Sequence, residues 1–266
     1  MKDVVLITGA SSGFGKATAE RLVSKGFIVY GTSRKAIKDN KIHFLQMDVR
    51  DRSSVQECID TIIAEQGKID VVVNNAGIGI GGALELATDE EVALQMDTNF
   101  YGCVNICRAI LPVMRKQGRG KIINLSSIGG IMGLPYQGYY SASKFAIEGF
   151  SEALAAEVRG FGISVSIIEP GDFATGFTAS RLNSAETQKS AAYRDSFARS
   201  LSMIEKEETG GLKPEKMAKT IEKIIRRRSP RLRYVVANFE QRLSVLLKHI
   251  VPGNCFVGIL RNYYKV

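Results

Sequence analysis

Tyr140 and Lys144 lie four residues apart in the run Tyr-Ser-Ala-Ser-Lys, and Ser127 precedes them at the end of an apolar run, Lys-Ile-Ile-Asn-Leu-Ser. Four residues is about one helical turn, so the ammonium can sit beneath the phenol and favour its ionised form. An ordinary tyrosine, with a pKa of about 10, is poorly matched to proton transfer at neutral pH, and a nearby cation brings it closer. Ser127 can hold a substrate oxygen by a hydrogen bond. In an arbitrary helix such a pair is a solvated surface feature, so its meaning depends on what positions it.

The first apolar run, VVLIT, leads directly into the turn Thr8 to Gly15, and a helical pattern follows. Glycines at Gly9, Gly13 and Gly15 let the backbone turn tightly and approach a pyrophosphate, while the helix N-terminus offers unpaired N–H groups to the anion. Ser11, Ser12 and Phe14 complete the candidate loop. A glycine turn alone is equally a tight packing turn, but the strand before it and the helix after it point to a nucleotide site. The second strand ends in Thr32-Ser33-Arg34-Lys35, with no carboxylate for a ribose 2′-OH and with a guanidinium that can fork onto a 2′-phosphate. Ser33 and Arg34 therefore favour NADP over NAD, although Arg34 also suits a solvated surface and Asp39 lies a few residues on. Asp48 and Val49 follow the third strand, Asn75, Ala76 and Gly77 close the fourth, and Asn99 lies in a helix. In an open parallel sheet, residues beyond the strand ends line the ligand. Singly, each serves equally well as a turn or cap.

Short β-branched runs alternate with helical patterns: 4–8, 27–32, 41–49, 69–75, 121–126 and 163–170 as strands, with helices near 14–25, 53–66, 88–117 and 138–160. Continuous apolar strands of this kind are buried on both faces, as in a doubly wound parallel sheet. From Asp172 to Leu212 the rhythm gives way to a polar insertion with a helix near 185–207, which reads as a substrate flap. A helix opened by Pro214, a last strand at 233–237 and one or two amphipathic helices over 238–264 complete a single α/β domain.

A chain with 45% hydrophobic and 24% charged residues is neither disordered nor a disulfide scaffold. The net charge of +9 is local: from Lys213 onward there are 13 basic and 3 acidic residues, and the remainder is near neutral. With no nucleic-acid module in view, a nucleic-acid partner is not expected. The tail reads as cationic faces over packed apolar stripes (Met217, Ile221, Ile224 and Ile225, then Leu243, Leu246, Leu247 and Ile250), with weak peripheral contact to anionic lipid as the other reading. Cys58, Cys103, Cys107 and Cys255 form no CxxC pair, so no metal site is expected and reduced thiols suit a cytoplasmic setting. The N-terminal apolar run is too short for a signal-peptide core.

Taken together, Gly9, Gly13 and Gly15, the Asn-Asn-Ala-Gly run at 74–77, Asn99, Ser127, Tyr140 with Lys144, and Pro170-Gly171 with Thr175 resemble the short-chain dehydrogenase/reductase superfamily over about residues 3–176. The resemblance implies a Rossmann sheet of about seven strands and hydride transfer between a nicotinamide and a carbinol carbon. Tyr140 would be proton donor and acceptor, Lys144 ribose holder and pKa depressant, Ser127 substrate orienter, and Asn99 support for a relay water. Asp48 would contact adenine, Asn75 and Ala76 the adenosine ribose, and Pro170, Gly171 and Thr175 the carboxamide. Ser12 stands where some NADP-preferring members carry a second basic residue. The run 124–154 and the ending from Pro230 look like the 17β-hydroxysteroid and retinol dehydrogenase branch, which implies a lipophilic alcohol or ketone as substrate. Met132, Leu134, Tyr136, Phe173 and Phe177 suit an apolar pocket, though equally ordinary packing. A homodimer or homotetramer through the helix at 138–160 is a further expectation. The competing reading is a non-catalytic dinucleotide-binding regulatory protein on the same fold.

Overall fold

The computed structural model describes residues 2–266. Seven parallel strands form the central sheet: β1 (Val4–Ile7), β2 (Ile28–Ser33), β3 (His43–Gln46), β4 (Val71–Asn74), β5 (Gly120–Leu125), β6 (Ile163–Pro170) and β7 (Arg233–Val236). Their order is β3-β2-β1-β4-β5-β6-β7, so the winding reverses between β1 and β4. A ligand crevice opens where two such neighbours diverge.

Both sheet faces are covered, which explains the unbroken apolar strands. Val4 and Leu6 of β1 enter one core cluster, and Val5 and Ile7 enter the other. The first cluster packs against α2 (Arg52–Gln66), α4 (Gly102–Gln117) and α5 (Gly138–Val158). The second packs against α1 (Gly13–Ser24) and α7 (Pro214–Arg226), where Met217, Ile221, Ile224 and Ile225 are buried as the periodicity of the tail anticipates. Ahead of α4, helix α3 (Asp89–Met96) runs into a π-helical segment, Asp97–Tyr101, that carries Asn99. A π bulge of this kind is frequent at functional sites.

The flap differs from the single helix expected near 185–207. It holds a turn at Phe177–Ser180, a short helix at Ala185–Lys189 and α6 (Arg194–Thr209). A two-stranded parallel sheet, Ile80–Gly81 with Leu182–Asn183, ties it to the loop after β4. Those strands are too short to leave a periodic signal. The chain ends in α8 (Phe239–Ile250) and α9 (Gly253–Tyr264). Helix α8 has no buried residue, and Leu243, Leu246 and Ile250, expected to form a packed stripe, are exposed. No helix among the described residues is long and apolar enough to cross a membrane.

Candidate active site

One cavity of about 1460 Å³ runs from the end of β2 across the β1/β4 crevice to the flap and α9. That exceeds the ~300–1,000 Å³ of a site for one small molecule and suits a dinucleotide with a substrate beside it. Gly9 and Gly13 take positive φ values of 65° and 51°, a region that favours glycine. A Cβ at Gly13 would meet nothing nearer than Thr175, at 3.7 Å, so the turn is open on its cavity side. Helix α1 begins there without a side-chain cap and without an acid in its first turn, leaving its first amides for an anion. Asn75 braces the turn by donating to the Thr8 and Gly9 carbonyls at 2.8 and 3.0 Å. Thr8 Oγ1 accepts from the amides of Asn75 and Ala76 at 3.0 and 2.9 Å. These observations fit a dinucleotide.

Ser11, Ser12, Phe14, Ser33, Arg34, Asp48, Val49, Ala76 and Gly77 all line this cavity, as do Pro170, Gly171 and Thr175 at its far wall. Gly15 does not. It lies under the turn, packed against Gly9, Ala10 and Asn75. The ring of Phe14 packs edge-on against Phe173 at 4.7 Å. Asp39 stays outside because its carboxylate accepts from the Lys41 and Ile42 amides at 2.7 and 2.8 Å. Asp48 is gripped by Arg50, whose Nε and Nη2 donate to it at 3.0 and 2.6 Å. That grip holds the carboxyl below its usual range, and Arg34 contributes to the shift. Arg50 is thus a second cation at the adenosine end, legible only by its closeness to Asp48.

At the catalytic end, Lys144 Nζ donates to the Leu125 carbonyl at 2.9 Å and lies 5.7 Å from the centroid of the Tyr140 ring. Ser127 lines the cavity beside Tyr140, lowers the proton affinity of the phenol, and accepts from the Gly129 amide at 3.0 Å. Two polar links seat α5. Asn99 Nδ2 donates to Ser143 Oγ at 3.0 Å, and Asn124 Nδ2 donates to Ser151 Oγ at 2.8 Å. Asn99 Oδ1 also accepts from the Ile78 amide at 2.8 Å. Its side chain is therefore committed to positioning rather than to the cavity.

Burial, with smaller contributions from the carboxylates of Glu208 and Asp172, pushes the Tyr140 phenol up to about 12 against the opposing effects of Ser127 and Arg181. Burial also brings Lys144 down to about 8. The ammonium is held by the strand carbonyl and does not by itself bring the phenol into neutral range. At pH 7 the phenol is protonated, which suits a group that must give a proton to a developing alkoxide.

The flap brings groups that the sequence did not single out. Asp172, one residue beyond Pro170-Gly171, is clamped by Gln241 of α8, which donates to its carboxylate and accepts from its amide at 3.2 Å. Glu208 accepts from Thr178 Oγ1 at 2.6 Å and pairs with the buried Arg181, while Glu207 accepts from Tyr263. Asp172, Glu207 and Glu208 all line the cavity. Met132, Leu134, Phe173 and Phe177 line it too, but Tyr136 instead packs on Phe197 with ring centroids 5.3 Å apart.

Burial, with Glu207 and Glu208 nearby, pushes Asp172 up to about 7. The folded protein then holds a proton that the unfolded chain has released by pH ~4, so this contribution to stability is complete below that pH and lost as pH rises through about 7. Thermal melts should show the midpoint falling between about pH 4 and pH 7, and Asp172→Asn should flatten that slope.

The short chain dehydrogenase family model matches residues 3–186. The 3-ketodihydrosphingosine reductase of Bacteroides thetaiotaomicron is 55% identical over 264 residues, 99% of this chain and 98% of that protein. Human 17-beta-hydroxysteroid dehydrogenase type 1 is 40% identical over 202 residues, 70% of this chain and 61% of that protein. Among solved structures, a short chain dehydrogenase/reductase of Burkholderia phymatum in complex with NAD superposes with a TM-score of 0.79 at 26% identity, covering 94% of this chain and 93% of that one. ElxO with NADP bound gives 0.72 at 28% identity, covering 89% and 96%.

Proposed function

The chain belongs to the short-chain dehydrogenase/reductase family and is a nicotinamide-dependent oxidoreductase; on that premise we propose that it is an NADPH-dependent reductase of long-chain 2-amino ketones of the 3-ketodihydrosphingosine type. The observation that carries this reading is the composition of the cavity beside Tyr140. Asp172 lines the same cavity as Tyr140 and Ser127 and has no ion-pair partner among the described residues, so an ammonium next to a carbonyl held by Tyr140 and Ser127 has a carboxylate to meet, while Glu208 is already paired with Arg181. Beyond them, Leu134, Phe177, Met203, Ile204, Ile259 and Leu260 give the cavity an apolar wall suited to an alkyl chain. A steroid or retinoid would fill that wall equally well but would leave Asp172, which has no cation paired with it among the described residues, without a counter-charge. The full-length likeness to the Bacteroides reductase agrees with this choice.

A bound nicotinamide dinucleotide would supply the hydride. The chain's own part is to orient the ketone oxygen between Ser127 and the Tyr140 hydroxyl and to deliver the proton. Lys144, held by Leu125, would reach the nicotinamide ribose from beneath the phenol. NADP is favoured because Ser33, Arg34 and Lys35 end β2 without a carboxylate and line the cavity. Pairing of two copies through α5 is supported by the exposed Phe145 and Gly149 on its outer face.

The test is loss of NADPH absorbance with 3-ketodihydrosphingosine, a steroid ketone and retinal. The amino ketone should give a kcat/KM roughly tenfold to a hundredfold above the others, and Asp172→Asn should narrow the gap. NADH should serve poorly for the native chain and better after Arg34→Asp. Equal or faster turnover of retinal or the steroid would overturn the reading.

A further inference from the structure

Half the positions of α8 are apolar, yet none is buried. Phe239, Leu243, Leu246 and Ile250 recur at steps of four, three and four, which sets them along one helix face. All four are exposed, Phe239 by 81% and Ile250 by 68%. Ile259 and Tyr263, one turn apart on α9, are also exposed, as is Val257 on another side of that helix. A row of exposed apolar side chains along one helix face marks a contact surface.

Its surroundings identify the partner. From Phe239 to the end the chain carries Arg242, Lys248, Arg261 and Lys265 against a single acid, Glu240. The opposite faces of the two helices line the active-site cavity through Gln241, Ser244, Leu247, Phe256 and Leu260. Ile259 and Tyr263 belong to both surfaces, being exposed and also part of the cavity lining. The rim of the cavity at α9 is therefore apolar and exposed. A second copy of the chain docked symmetrically here would set these cations against their own images. A bilayer leaflet carrying anionic lipid meets both the charge and the apolar surface.

We propose that α8 and α9 are a peripheral docking face for an anionic membrane leaflet. The helices lie flat, with the stripe at the boundary between headgroups and acyl chains and the cations among the lipid phosphates. The cavity mouth at Ile259 and Tyr263 then opens onto the lipid, and a long-chain ketone enters without crossing water. This goes beyond the proposed reaction and does not depend on it, because docking is read without substrate.

The experiment sediments the full-length protein with vesicles of phosphatidylcholine alone or mixed with phosphatidylglycerol. The protein should bind the mixed vesicles and release as salt rises. Leu246→Ser combined with Ile250→Ser should weaken that binding roughly tenfold or more. Neither side chain lines the cavity, so turnover of a short, water-soluble ketone should stay at the native rate. Melting temperature and light scattering accompany each sample, and Phe239→Ser carries the same expectation should the double variant melt early. Three results would overturn the proposal: no more binding to mixed than to neutral vesicles, variants that bind as well as the native chain, or variants that break up an assembly of copies that had never bound vesicles.

Discussion

Tyr140→Phe is expected to leave dinucleotide binding unchanged and to lower turnover by about two to four orders of magnitude, the range spanned by a positioned proton donor. The ring is retained, so its packing at 6.0 Å from Phe177 and its place 5.7 Å from Lys144 Nζ survive. What disappears is the hydroxyl, which would give its proton to the ketone oxygen. Because burial pushes the phenol up to about 12, the proton to be given is in place at neutral pH, and phenylalanine offers none. NADPH fluorescence should give a dissociation constant close to that of the native chain, while the absorbance assay should barely exceed the blank. A variant retaining a tenth of native turnover would remove Tyr140 from the role of donor.

Gly15→Ala should be nearly as damaging for a different reason. A Cβ there would lie 2.3 Å from the Gly9 carbonyl oxygen, 2.6 Å from Asn75 Nδ2 and 2.9 Å from Ala10 Cα. Two of these neighbours are backbone, so the turn itself must open. That breaks the hydrogen bonds from Asn75 to Thr8 and Gly9 that hold the crevice in shape. Overpacking of this kind destabilises by about 1–3 kcal/mol, and NADPH affinity should fall roughly a hundredfold as the α1 amides lose alignment. Gly160 is the matched control. It lies in the turn Arg159–Phe161 with nothing inside 4 Å of its Cβ position, so Gly160→Ala should leave both stability and NADPH affinity close to native. Equal behaviour of the two variants would mean that the turn tolerates a side chain.

The parts of this fold that rest on local pattern were legible in the sequence. The strand runs, the glycine turn and the Tyr140–Lys144 helix each carry their signal within a few residues, and the sheet follows from burial of every strand on both faces. What stayed hidden depends on residues far apart in the chain. Gln241 reaches Asp172 across 69 positions and Arg181 reaches Glu208 across 27, and neither pair leaves a periodic trace. The Arg50 grip on Asp48 was visible as adjacency, but its direction was not. The desolvation that raises the Tyr140 phenol was equally hidden, because helical spacing reveals a neighbouring ammonium and says nothing of burial. Periodicity marked the stripe on α8 but left its partner open between packing and lipid, since an amphipathic pattern is the same whether its apolar face meets protein or lipid, and only the structure shows that the stripe is exposed.

The most direct test of the catalytic account follows a label. NADPH carrying deuterium at C4 of the nicotinamide is incubated with 3-ketodihydrosphingosine and the native chain, and the product is analysed by mass spectrometry. Deuterium should appear at the carbinol carbon when the label occupies one face of the ring and not the other, with no labelled alcohol from Tyr140→Phe. Unlabelled alcohol from both labelled forms, or labelled alcohol at the native rate from Tyr140→Phe, would contradict it.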